Sequence, residues 1–179
     1  MATATELTID TGATALDMAQ TIFGAGVQVV SASYAGDPNA SGTYSGAQTT
    51  IPGVTTSDSG VILSTGNVGT FTNSDGSTNT NTAAGAGTDS AGIDGDVDLN
   101  GVSGQNTFDG AILTADFIPD GDTLTMQFVF TSEEYPEYVN LNVNDSFGVW
   151  VNGQFVEATI TATGNIAIDT VNQNLNQNL

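Results

Sequence analysis

Carboxylates crowd two short stretches of this sequence. In the first, "FVFTSEEYPEYVNLNVNDSFGVW" (Phe128 to Trp150), Glu133, Glu134, Glu137 and Asp145 lie between two apolar runs. Asn140, Asn142 and Asn144 share the same loop. Carboxylates, amide side chains and backbone carbonyls are what calcium takes, in sets of about six to eight oxygens. Glu133, Glu134 and Glu137 also repel one another unless a cation lies between them. A solvated loop after a strand is the plainer alternative. A carboxylate pair acting as acid and base on a glycosidic bond is a third reading. It has the least support, because Tyr135 and Tyr138 read better as packing residues that pin the loop, and Trp150 as core.

The second stretch is "DGDVDLNG" (Asp94 to Gly101), where Asp94, Asp96, Asp98 and Asn100 alternate like the first half of an EF-hand loop. The match fails where Leu99 replaces the sharp-turn glycine and Gln105 replaces the closing glutamate. A looser calcium loop and a polar loop or strand edge with outward carboxylates both remain open, with Asp89 a further contributor. The expected metal ligands are therefore Glu133, Glu134, Glu137, Asn144 and Asp145 in one set and Asp94, Asp96, Asp98 and Asn100 in the other. Asp37 in "GDPN" and Asp120 and Asp122 in "PDGD" read as turn formers.

Composition narrows the chemistry. The chain of 179 residues carries 20 Asp and Glu and no Lys, Arg or His, a net charge of −20. No salt bridge to a basic side chain can relieve that repulsion, so cations from solution must screen or coordinate it. Nucleic acid and anionic membrane surfaces would be repelled. The absence of Cys excludes disulfides, thiolate nucleophiles and zinc–thiolate sites. Without His or Lys there is no Ser-His-Asp triad and no Schiff base. These absences point away from an enzyme, and trypsin-like proteases find nothing to cut. The start, "MATATELTIDTGATALDMAQ", has neither the basic nor the apolar region of a Sec signal peptide. No run of about 18 apolar residues offers a membrane span.

The elements that must position the carboxylates follow from periodicity. "TGATALDMAQTIFGAG" (Thr11 to Gly26) reads as the one helix, capped by Asp10 or Thr11 and stopped at Gly24. Leu16, Ala19 and Phe23 form its apolar stripe, with Asp17 and Gln20 wet. Val27–Tyr34, Gly60–Gly66, Asp109–Ile118 and Thr123–Ser132 read as strands. In the last of these, Leu124, Met126, Phe128 and Phe130 share one face. Asn152-Gly153 between alternating runs marks a type I′ hairpin. The Asn/Thr/Gly-rich stretch 67–92 reads as a long loop. The pattern predicts one all-β domain over 1–179, a β-sandwich or jelly roll with a single N-terminal helix.

Four segments carry a family resemblance in order: "LSTG" (Leu63 to Gly66), "FVFTSEEYPEYV" (Phe128 to Val139), "NDSFGVWVNG" (Asn144 to Gly153) and "GNIAI" (Gly164 to Ile168). With "GAGVQVVSASYAGDPNASGTYSG" (Gly24 to Gly46), they resemble the bacterial choice-of-anchor L domain. The resemblance implies a β-rich domain of secreted or surface-attached proteins with varied anchors, and supplies no catalytic residues. It also implies further strands after the "NIA" and "VN" segment, so that on this reading the domain lacks its last C-terminal strands. A sheet edge left open in that way is a template for a neighbour. The combined expectation is an extracellular or cell-surface bacterial protein, structural or adhesive. It would be stabilised by calcium and would self-assemble as a homo-oligomer into a filament, mat or surface layer. A calcium-dependent carbohydrate-binding module, with glycans as partners, is the alternative.

Overall fold

The computed structural model describes residues 6–70, 89–132, 134–136, 138–158 and 164–172. The chain divides into two compact units. The first comprises Met1–Thr82, Gly87–Ile93 and Asp109–Val129; the second comprises Ala83–Ala86, Asp94–Phe108 and Phe130–Leu179. Among the described residues the fold is β-rich with three short α-helices, and no sheet closes into a barrel.

In the first unit, β1 (Thr8–Asp10), β3 (Ser41–Ser45) and β4 (Ser59–Leu63) make an antiparallel sheet in the order β1-β3-β4. β2 (Val27–Ala35) pairs antiparallel with β5 (Ile112–Pro119), and the register shifts between Val29 and Ser31. The helix α1 (Ala15–Phe23) contacts β2, β3, β4 and β5. It buries Met18 and Ala19 and sets the Phe23 ring 4.5 Å from that of Phe117. Leu7, Ala40, Ala47 and Val68 complete the buried apolar set of this unit, Ala47 from the short helix α2 (Ala47–Thr50).

The helix starts later than Asp10 or Thr11 would have it. Thr14 is the cap: its hydroxyl accepts from the Asp17 amide at 3.2 Å, while the Asp17 carboxylate accepts from the Thr14 amide at 2.9 Å. A reciprocal box needs an acid three residues after the cap, and Thr14 has one whereas Asp10 has Ala13 there. The buried residues of the helix are Met18 and Ala19, and Leu16 faces solvent. Gly24 ends the helix at φ 60°, as expected.

The segment Thr123–Ser132 departs from expectation more sharply. Among the described residues it pairs with no other strand, and Leu124, Met126, Phe128 and Val129 are exposed. Alternation gives a strand two faces, but only a partner edge in register makes it part of a sheet. One of its side chains is tied down: the Thr56 hydroxyl donates to the Gln127 side-chain carbonyl at 2.7 Å.

The second unit holds α3 (Val97–Ser103), the pair β6 (Ser146–Phe147) with β9 (Ile166–Ala167), and the hairpin β7 (Trp150–Val151) with β8 (Gln154–Phe155). The hairpin turns on Asn152 and Gly153 at φ 52° and 72°, the left-handed pair a type I′ turn demands. Val102, Ile166, Ala167 and Ile168 are buried.

Candidate functional site

The acidic loop of the second unit is held by the chain itself. Ser132 donates its hydroxyl to Asp145 Oδ2 at 2.7 Å and accepts the Glu134 amide at 3.1 Å. Backbone bonds from Tyr138 to Glu134 and from Leu141 to Tyr138 wind the next turns. Asn140 and Asn142 sit at φ 63° and 64°, a conformation in which Asn is among the best-tolerated residues outside glycine.

The segment 164–172 then braces the loop. The Asn140 amide donates to Asp169 Oδ1 at 2.5 Å, and the Asp169 amide donates to Asn144 Oδ1 at 3.1 Å. Asn144 Nδ2 reaches the Ser103 carbonyl at 2.6 Å, closing onto the end of α3. Asn165 Nδ2 donates to the Val102 carbonyl beside it at 2.9 Å. The Tyr135 hydroxyl donates to the Val171 carbonyl. Burial pushes that hydroxyl's pKa up to about 12, helped by the negative charges of Asp145 and Asp169. Buried Asn172 donates to the Ile168 carbonyl at 2.9 Å.

This arrangement gives two of the expected metal ligands other work. Asn144 uses both ends of its amide in the brace, and Asp145 accepts from Ser132. Glu134 is half-buried in the loop, while Glu133 and Glu137 lie outside the described residues. Asp169 was not singled out from sequence, although it joins Asn140 to Asn144; a lone Asp in "AIDT" carries no local signal.

The stretch 94–101 is also different from a polar loop or strand edge. Asp96 is the N-cap of α3, its Oδ1 accepting from the amides of Asp98 and Leu99 at 3.0 Å each. Asp98 lies in the first helical turn, where a carboxylate meets the positive end of the helix dipole. Asn100 Oδ1 accepts from the Thr107 amide at 2.6 Å and hydroxyl at 2.9 Å. Asp94 stands two residues before the cap. The Asp-x-Asp spacing thus serves a helix start, and Gly104 at φ 75° ends it. Among the described residues, no group of three or more acidic side chains is placed to hold a metal ion.

The first unit carries a second polar place. Asp37, Asn39, Gly66, Asn67, Asp89 and Ser90 line a small open cleft of about 130 Å³. The "GDPN" turn does more than reverse the chain. Asp37 accepts from the Asn39 amide at 2.7 Å and the Ala91 amide at 3.1 Å. These two amides hold its carboxyl below the usual value. The Asn39 carbonyl accepts from Val68 at 2.9 Å. Asp109, at φ 56°, accepts from the Ser90 amide and hydroxyl at 3.0 and 3.1 Å. The turn therefore clasps residues 68 and 91, one on each side of 71–88.

Taken together, these features define a class: a β-rich domain whose carboxylates cap helices, close turns and brace loops. The family model of the choice-of-anchor L domain matches residues 7–178, nearly the whole chain, and the protein belongs to that family. No curated protein and no solved structure matches the chain. Membership makes it a surface-associated extracellular protein of bacterial type. No helix among the described residues is long and apolar enough to cross a membrane.

Proposed function

We propose that the protein is a non-catalytic structural component of the cell exterior that associates with copies of itself through an open strand edge. Closure of its sheets into a β-sandwich and stabilisation by calcium or another divalent cation are parts of this reading. The observation that carries it is the state of the sheets: among the described residues β2 and β4 each pair on one side only, and neither contains a charged residue. Open edges of that kind are usually guarded by Lys or Pro, and neither residue stands in β2 or β4. Surface display without basic residues also favours a durable, protease-resistant material over an enzyme. Divalent cations would lower the self-repulsion of a chain of net charge −20 and so promote association.

Electron microscopy and sedimentation of the purified protein, with calcium and with excess chelator, test both parts. The expectation is concentration-dependent assembly that calcium strengthens, together with a calcium-raised melting temperature. A chain that stays monomeric at every concentration and salt refutes the assembly. A melting temperature unmoved by chelator refutes the metal.

A second reading, calcium-dependent glycan binding, is favoured by the polar cleft at Asp37, Asn39 and Asn67, whose carboxylate and amide groups suit sugar hydroxyls. The cleft is small beside ordinary ligand pockets of about 300–1,000 Å³, so it ranks second. A glycan array with calcium decides it: structural function predicts no specific ligand.

A further inference from the structure

We infer that the surface through which two copies meet is the outer edge of β2 over Ser31–Ala35, paired antiparallel with the same edge of a second copy. The inference rests on the proposed self-association and names the edge responsible. β2 uses one side for β5; its other side carries no ladder among the described residues. The shift between Val29 and Ser31 leaves Ser31–Ala35 as the regular half, paired residue for residue with Ile112–Asp116. Ser31, Ser33 and Ala35 are exposed, as is Val30 at 58%.

Charge selects both the edge and its occupant. Every charged side chain in the protein is a carboxylate, so an equally acidic copy is admitted only where carboxylates do not meet. β1 carries Asp10 and β5 carries Asp116, whereas β2 and β4 are uncharged. β4 is the poorer choice, because Gln127 already reaches Thr56 just ahead of it. A basic partner would be drawn to the carboxylates and has no reason to prefer the uncharged strand.

Geometry agrees with the charge. With Ser33 facing its own copy on a two-fold axis, Ser31 faces Ala35 and Ala32 faces Tyr34, so no carboxylate lies within the paired stretch. The two Asp116 side chains, each one strand further out and bonded to Ser31 Oγ at 2.6 Å, stand three strand spacings apart. That is about 14 Å, beyond the roughly 8 Å over which physiological salt lets charges act. The result is a continuous four-stranded sheet, β5-β2-β2-β5.

The test is sedimentation equilibrium of the whole chain and three substitutions, in physiological and in high salt, with calcium present. Wild type is expected to dimerise reversibly or to assemble further. Ser33→Asp, which sets two carboxylates face to face, is expected to weaken association by about tenfold or more. The equally charged Gln154→Asp, in the β7–β8 hairpin and outside β2, is expected to leave it unchanged. Ser33→Cys adds no charge, and because the chain has no Cys, any disulfide it forms joins two copies; oxidation is expected to give a covalent dimer. Wild type that assembles while Ser33→Asp assembles equally well and Ser33→Cys fails to cross-link overturns this edge and leaves self-association standing. Wild type that stays monomeric overturns both. Association that appears only with an added polycation overturns the choice of a second copy.

Discussion

Tyr135 offers an unusually clean test of the braced loop. Its hydroxyl donates to the Val171 carbonyl, and burial with Asp145 and Asp169 nearby raises its pKa to about 12, from 10.0. A group whose folded pKa is raised contributes stability in full below its unfolded pKa and loses it as pH climbs through the folded one. The window here is therefore about pH 10 to 12. A displacement of that size sets an upper limit of roughly 2.7 kcal/mol. Tyr135 is only part-buried, so solvent screening reduces the expected loss to about 1 kcal/mol. With no Lys, Arg or Cys in the chain, no basic or thiol side chain ionises in this window. Tyr135→Phe removes both the donor and the titration. Urea unfolding followed by circular dichroism should find the variant about 1 kcal/mol less stable at pH 7, with the alkaline fall in stability reduced to the part left by Tyr34, whose hydroxyl burial also pushes up. Absorbance titration at 295 nm should lose its highest-pH step. If the variant keeps the wild-type alkaline fall, the hydroxyl does not couple the loop to the 164–172 segment and the reasoning fails.

Three further outcomes follow from individual contacts. Asn144→Ala breaks bonds to Ser103 and Asp169 at once and should cost about 2–3 kcal/mol in chemical denaturation, whereas an exposed Asn in a loose loop would cost almost nothing. Asp96→Ala removes the α3 cap and should cost about 1 kcal/mol, while Asp96→Asn, which can still cap, should cost much less; equal losses would mean the charge rather than the cap is at work. Gly92→Ala would bring a Cβ within 2.3–2.6 Å of Asp109 backbone atoms, so a loss of about 1–3 kcal/mol in thermal unfolding is expected, with amide exchange quickening at Ile93 and Gly110 if the backbone there shifts.

Signals contained within a few residues were legible in the sequence. Gly24 stops α1, Asn152-Gly153 makes the hairpin, and β2, β4 and β5 lie close to where alternation places them. The cap of Asp96 was also local, but the Asp-x-Asp spacing that starts a helix is also compatible with an ion loop, and the spacing alone does not mark the cap. The run from Thr123 alternates cleanly and still pairs with no strand among the described residues.

What the sequence determined by itself is the electrostatic character: a chain of carboxylates with no basic side chain, whose negative charge must be met by backbone amides, hydroxyls or cations from outside. Tertiary structure decided which amides and hydroxyls. Asp37 finds the Ala91 amide 54 positions away, Asp169 finds the Asn140 amide 29 positions away, and Asp145 finds the Ser132 hydroxyl 13 positions away. Pairings at such separations depend on which donors and acceptors the completed backbone leaves unmet. No local pattern of residue types records that.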